Sequence, residues 1–321
     1  MLTVSQTTTC RSPRSMASWL EHIRGATALL ELRGEDQLHS EFGRTLFVQT
    51  RAYIIAGCLQ TRTVVPEVVD RLSEKGEEVE RSLARQKSST RLLGDMFYLV
   101  SRFSRLRTQK KFDPEPSQSE LITRTLIAEY STLAGQMSEW HQRLPTNFMP
   151  AGMRSGDPST TMLSEHDYVY DDIWTAGVAN NCSTTHILVN EALIVQLIHL
   201  RDHFFHNVIE HAELDVRISQ ARSTVTRLID AVCASVPHLL QSDMAIAGVG
   251  LIWALYVAAQ ISPQAVPLDT STRGWINGSL ERIGKEMGVK QATTLARMLR
   301  EGVEIEEMLA SETAERVDWT A

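Results

Sequence analysis

Four of the ten histidines in this 321-residue sequence fall within thirteen positions: His199, His203, His206 and His211. His199 and His203 stand four apart, so a helix would place both imidazoles on one face, with His206 three residues further on. That spacing can hold zinc. It is not a metalloprotease signature, because the residue after His199 is Leu200 where a catalytic glutamate would be needed. The plainer reading is a helix end whose histidines face water and the terminal carbonyls. A second concentration of chemistry, EHDYVYDD (residues 165–172), combines acids, a histidine and two tyrosines. Its final aspartates, Asp171 and Asp172, also suit the start of the next helix, as caps and as negative charge near the positive end of a helix dipole.

That next helix is the element the chain is organised around. DDIWTAGVANNCSTTHILVNEALIVQLIHL (residues 171–200) holds no Gly-Pro break, and from Ile187 onward it is apolar on several sides, which predicts a helix buried by neighbours all round. Asn180, Asn181 and His186 are polar groups inside it, and each needs a partner if buried. Trp174 stands in its first turn. Helical periodicity elsewhere predicts segments over 15–32, 40–62 (with Phe42, Leu46, Phe47 and Ile54 inward), 66–75, 77–107, 119–142, 210–233, 244–260, 271–287 and 290–301. Ser235-Val236-Pro237 is read as the end of the 210–233 segment. No alternation of period two is sustained, so the predicted class is all-α, a single multi-helix domain packed around the central helix over about 171–205. The organisation expected is a disordered stub over 1–14, the helical domain over 15–301 and an acidic tail over 302–321.

Composition narrows the functions further. The chain is 43% apolar and 22% charged, as ordinary globular proteins are. Its net charge of −7 is uneven: Glu301 to Ala321 carries seven acids and one base, so the remaining 300 residues hold only −1. A near-neutral body has no electrostatic footprint for nucleic acid. The tail mixes its acids with Ile305, Met308, Leu309, Val317 and Trp319, a composition that suits docking to a partner groove or simply a solvated end. Cys10, Cys58, Cys182 and Cys233 form no C-x-x-C pair, and the last three are expected as buried free thiols of a reducing compartment. The apolar run at 245–259 is too short for the roughly 20 residues of a membrane span, so a core helix is expected there and no membrane association. Gly248-Val249-Gly250 lies in that run with no strand before it, which excludes a dinucleotide loop. No motif calls for a cofactor.

An ordered series of segments resembles the regulatory region of fungal zinc-binuclear-cluster transcription factors. It begins with WLEHIRGA (Trp19 to Ala26) and LLELRG (Leu29 to Gly34). SEFGR from Ser40 follows, then Phe47, Arg51 and CLQTR (Cys58 to Arg62) before Pro66. The central helix contributes Tyr170, Asp172, Trp174, Asn180-Asn181 and THILVNE (Thr185 to Glu191). IDAVCASVP (Ile229 to Pro237), LIWALYVA (Leu251 to Ala258) and RIGKEMGVKQA (Arg282 to Ala292) complete it. The resemblance spans about Ser15 to Arg300. It implies a helical regulatory domain that receives signals through protein partners or a small-molecule effector, in the nucleus or else the cytoplasm, in the setting of a secondary-metabolite gene cluster. The six cysteines by which such factors hold two zinc ions and bind DNA have no counterpart among the four scattered here. No sequence-specific DNA binding by this chain is therefore expected, and the resemblance brings no catalytic residues. The alternative is a helical domain turned into a biosynthetic cyclase or isomerase for an apolar metabolite. Asn180, Asn181 and His186 would then be its polar groups, and Trp174, Trp253 and Tyr256 its pocket walls.

Overall fold

The computed structural model describes residues 14–82, 88–108, 116–144, 172–204, 208–241 and 245–303. Among the described residues there are helices and connecting turns and no strand. The acidic tail from residue 304, the 145–171 segment with most of the EHDYVYDD cluster, His206 and the N-terminal stub up to residue 13 lie outside them, as do the side chains of Trp19 and Trp174. The helices fall into two compact units, one within Arg11–Phe112 and one within Asp113–Gly302. The chain passes between them in the polar, proline-bearing stretch TQKKFDPEPSQ, which has no apolar stripe to bury.

The first unit comprises α1 (Arg14–Arg33), a 3-10 turn (Glu35–His39), α2 (Glu41–Gln60), α3 (Glu67–Ser82) and α4 (Ser88–Thr108). Gly34, at φ 55°, ends α1, and the buried Gln37 side chain donates back to its carbonyl at 2.6 Å. Ser40 caps α2 by accepting from the Gly43 N–H at 3.0 Å. Gly43 sits so close to the 3-10 turn that a Cβ there would penetrate the Gln37 carbonyl group. The inward face of α2 is accordingly Gly43, Phe47, Arg51, Ile54 and Cys58. Phe42, read from the sequence as inward, is 72% exposed and Leu46 is half-buried. The stripe is turned by one position because the glycine, which hydropathy ignores, makes the closest approach. Arg51 is buried with its guanidinium over the Phe97 ring, 3.8 Å from the centroid, and donates to Ser73 Oγ at 3.0 Å. Ser104 of α4 ties the segment after α2, accepting from the Val65 N–H at 3.1 Å and donating to the Thr63 carbonyl at 2.7 Å.

Two boundaries differ from the sequence reading here. One continuous helix, α3, runs from Glu67 to Ser82 across Gly76, and α4 begins only at Ser88. A lone glycine costs about 1 kcal/mol in a helix, too little to interrupt an amphipathic one.

The second unit comprises α5 (Pro116–Gln142), α6 (Ile173–Phe204), α7 (Val208–Leu240), α8 (Ala245–Gln260), α9 (Thr270–Glu286) and α10 (Lys290–Glu301). The central helix is α6, packed by α5, α7 and α8. Ile187, Val189, Ile194 and Leu197 are fully buried on it, each stabilising the fold by roughly 1.5–3 kcal/mol. Asp172 caps α6, accepting from the Thr175 N–H at 2.8 Å and from its hydroxyl at 2.9 Å. The helix α7 does not stop at Pro237 but carries it in the last turn and runs on to Leu240, losing the amide bond back to Cys233 but leaving little helix beyond to be kinked. Covered on nearly every side, α8 forms core, and among the described residues no helix is long and apolar enough to cross a membrane.

Between α8 and α9 the chain is clasped. Glu191 of α6 accepts from the Ser262 N–H at 3.0 Å. Arg222 of α7 donates to the carbonyls of Ala265 at 2.7 Å and Gln264 at 2.8 Å, and Arg273 of α9 to those of Ala259 at 2.6 Å and Ile261 at 2.8 Å. The Ala265 and Val266 N–H groups close on the Ser262 carbonyl at 3.0 and 2.9 Å. Gly284 lets α9 cross α10 so closely that a Cβ would fall onto Thr293.

Candidate functional site

The polar residues of α6 are distributed around the helix, and each side meets a different neighbour. Asn180 is buried and faces α7, where its Nδ2 donates to Ser235 Oγ at 3.0 Å. The Ser235 hydroxyl in turn reaches the Val232 carbonyl at 2.7 Å. Asn190 is also buried, and its side chain donates to the His186 carbonyl at 2.9 Å. Thr184 and Thr185 bond back to the carbonyls of Asn180 and Asn181 at 2.7 and 3.1 Å. Asn181 itself is exposed. The threonine and Asn190 bonds stay within α6, whereas the Asn180–Ser235 bond ties it to α7 across 55 residues of sequence.

His186 is different. It is 1% exposed, and neither ring nitrogen has a hydrogen-bond partner among the described residues. Its ring lies 5.6 Å from that of His141 on α5, tilted by 30°. His141 Nδ1 is 3.2 Å from the Met137 carbonyl, which assigns the proton to Nδ1. Burial, with the His141 and Arg227 charges behind it, pushes the pKa of His186 down from 6.5 to about 3. The Ala134 carbonyl opposes this weakly, without the geometry of a bond. Burial lowers His141 as well, opposed by the Met137 carbonyl. Both imidazoles are therefore neutral near pH 7 and capable of giving or taking a proton only where a charged state is stabilised.

Trp253 and Tyr256 sit together on α8, ring centroids 6.3 Å apart and planes 29° from parallel. Tyr256 is buried at 1% and Trp253 is half-buried. Of the six residues proposed from sequence as ligand contacts, Asn180 and His186 thus face separate helices, Asn181 faces solvent, Trp253 and Tyr256 form a stacked pair, and Trp174 has no described side chain.

The helix-end histidines do come together. His199 and His203 pack edge to face at 4.7 Å, and Phe204 lies 5.5 Å from His199. His211 pairs instead with Asp215 on α7, Nδ1 to Oδ2 at 3.2 Å. Among the described residues no three His, Cys, Asp or Glu side chains are grouped as a metal would require.

Cys58 and Cys182 are buried free thiols, and Cys233 is half-buried. Burial raises all three, Cys233 to about 12, with a hydrogen bond to Thr63 acting the other way at Cys58. They are inert as nucleophiles at neutral pH.

Sequence reading missed a cavity of about 770 Å³ in the first unit. Its walls are α1 (Leu20, Ile23, Arg24, Thr27, Ala28, Glu31, Leu32) and the end of α2 with the turn after it (Ile54, Gly57, Cys58, Thr61, Thr63, Val64, Pro66). No signal in these residues distinguishes a wall from a core stripe. The cavity depends on how α1 packs beside the end of α2, which is tertiary.

Fold and contacts define an all-helical protein of two compact units, one built around a buried central helix. No family model, curated protein or solved structure matches the chain.

Proposed function

We propose that this chain is a regulatory protein of the transcription-factor type, acting in the nucleus on a fungal secondary-metabolite gene cluster. It works through protein partners or a small-molecule effector and lacks zinc-cluster DNA binding of its own. The observation that carries this reading is the ordered series of segments from Trp19 to Ala292 that resembles the regulatory region of zinc-binuclear-cluster factors. The near-neutral body supports the absence of direct DNA recognition, since non-specific affinity for DNA comes chiefly from neutralising phosphates. Deleting the gene and measuring transcripts of its neighbours tests the proposal. Loss or deregulation of those transcripts is expected. Unchanged transcripts with one blocked metabolite step would instead establish the biosynthetic enzyme, a reading favoured by the unpartnered, buried imidazole of His186. Tight, specific retardation of DNA by this chain alone would refute the DNA-binding part.

A further inference from the structure

We infer that the cavity between α1 and the end of α2 is a binding site for an uncharged, mainly apolar small molecule that carries a hydrogen-bond acceptor. The assignment goes beyond the regulatory proposal and holds whichever way the transcript test falls.

Volume comes first. At about 770 Å³ the cavity lies within the range of roughly 300–1,000 Å³ that holds drug-sized ligands. The chemistry of the wall comes second. Leu20, Ile23, Ile54, Val64 and Pro66 make it predominantly apolar. Leu32 at 84% and Val64 at 48% exposure leave apolar surface at the rim in contact with water, which an occupant would cover. The two ionic residues of the wall are already engaged: Arg24 with Glu21 at 2.6 Å, and Glu31 with Arg71 at 3.2 Å. The two are of opposite sign and sit in exposed, water-screened pairs, so the wall has no net charge to hold an ionic ligand.

On the wall formed by the turn after α2 the polar groups are two threonines. The Thr61 hydroxyl donates to the Gly57 carbonyl at 2.9 Å, and its oxygen is 2.9 Å from Thr63 Oγ1. With the Thr61 proton given to Gly57, the contact between the two hydroxyls is donated by Thr63, and this exposed hydroxyl is the one that can exchange that partner for an incoming carbonyl or hydroxyl oxygen. The turn that presents Thr63 is held in an unusual way. Arg62, between the two threonines, has φ 49° and is the one non-glycine residue with positive φ among those described. The Thr63 N–H reaches the Cys58 carbonyl at 2.9 Å, the six-to-one bond of a Schellman motif, whose left-handed position usually belongs to glycine. Backbone strain of this kind collects beside ligand sites. The buried Cys58 thiol stays protonated, so the ligand is held without covalent attachment.

The test is fluorescence titration of the full chain with two neutral probes: Nile red, which carries a carbonyl, and diphenylhexatriene, a pure hydrocarbon. Saturable binding of one equivalent is expected for both. Ala28 is an exposed wall residue, and Ala28→Trp should fill the mouth and raise both Kd values at least tenfold with an unchanged thermal midpoint. Val64→Trp should do the same from the opposite wall. Ala128→Trp, at an exposed position on α5, should leave binding as it was. Thr63→Val should weaken Nile red about fivefold, the worth of one net hydrogen bond, and leave diphenylhexatriene alone. Non-saturable binding, or binding indifferent to both tryptophan substitutions in folded protein, would overturn the site. Equal effects of Thr63→Val on the two probes would overturn the acceptor assignment.

Discussion

Replacing His186 by leucine removes a buried ring whose two nitrogens have no hydrogen-bond partner among the described residues and puts a side chain of similar size in its place. An unsatisfied polar group buried in this way costs about 1–3 kcal/mol. The variant should therefore be more stable than the parent at pH 7.5, by about 1 kcal/mol once imperfect packing of the branched chain is allowed for. Acid sharpens the difference. The folded protein holds the His186 pKa at about 3 against 6.5 for an ordinary histidine. Above pH 6.5 both folded and unfolded chains carry it neutral, and it adds no pH dependence. Below that value the unfolded chain takes up a proton that the folded chain refuses, so stability falls until the pH reaches the folded value. At pH 5.0 the loss from this one group is about 2 kcal/mol, since each unit of pKa difference is worth about 1.4 kcal/mol. Urea unfolding of parent and His186→Leu at pH 7.5 and 5.0 measures it: the parent should lose about 2 kcal/mol more than the variant between the two conditions. His141, lowered in the same direction, is present in both proteins and cancels in the comparison to the extent that it does not depend on its neighbour. Equal losses would refute the reasoning, and a variant less stable than the parent at pH 7.5 would show that His186 has a partner such as a buried water.

Gly43→Ala should destabilise the first unit by about 3 kcal/mol, because its methyl group would meet backbone at Gln37 that cannot move aside; a drop in the urea midpoint with an unchanged slope would register it. Asp172→Ala should cost about 1 kcal/mol by uncapping α6, and Asp172→Asn should recover most of it in the same melts. Cys182 should react with a thiol reagent only after the second unit unfolds, so that its labelling rate tracks denaturant; rapid labelling in native buffer would contradict its burial.

Helix content was legible because apolar spacing reports it directly, and the central helix stood out by being greasy on all sides. The finer structure depended on contacts that hydropathy does not encode. The inward face of α2 is set by Gly43, which scores as neither core nor surface, so Phe42 was read inward when it faces water. Pro237 looked like a stop because only its local cost is visible in sequence, while the packing of Val236 and Leu239 that carries the helix past it is tertiary. Asn180, Asn181 and His186 stand out in sequence as polar groups that need a partner if buried, and the structure turns Asn181 to water while burying the other two. Sequence could not tell that Asn180 would find Ser235, 55 residues away, and that His186 would lie 5.6 Å from a second imidazole with no hydrogen bond among the described residues.

The clasp between α8 and α9 has a further consequence. A nine-residue connection of this composition would ordinarily be the place where a protease cuts or an insertion is accepted. Here its carbonyls are claimed by arginines from two helices, and one of its amides by a carboxylate from a third. Its amide protons should exchange with solvent as slowly as those of the helices on either side, because opening the connection means pulling on α6, α7 and α9 together. What looks like a hinge in the chain is a rivet, and the helices it joins should unfold as one cooperative block.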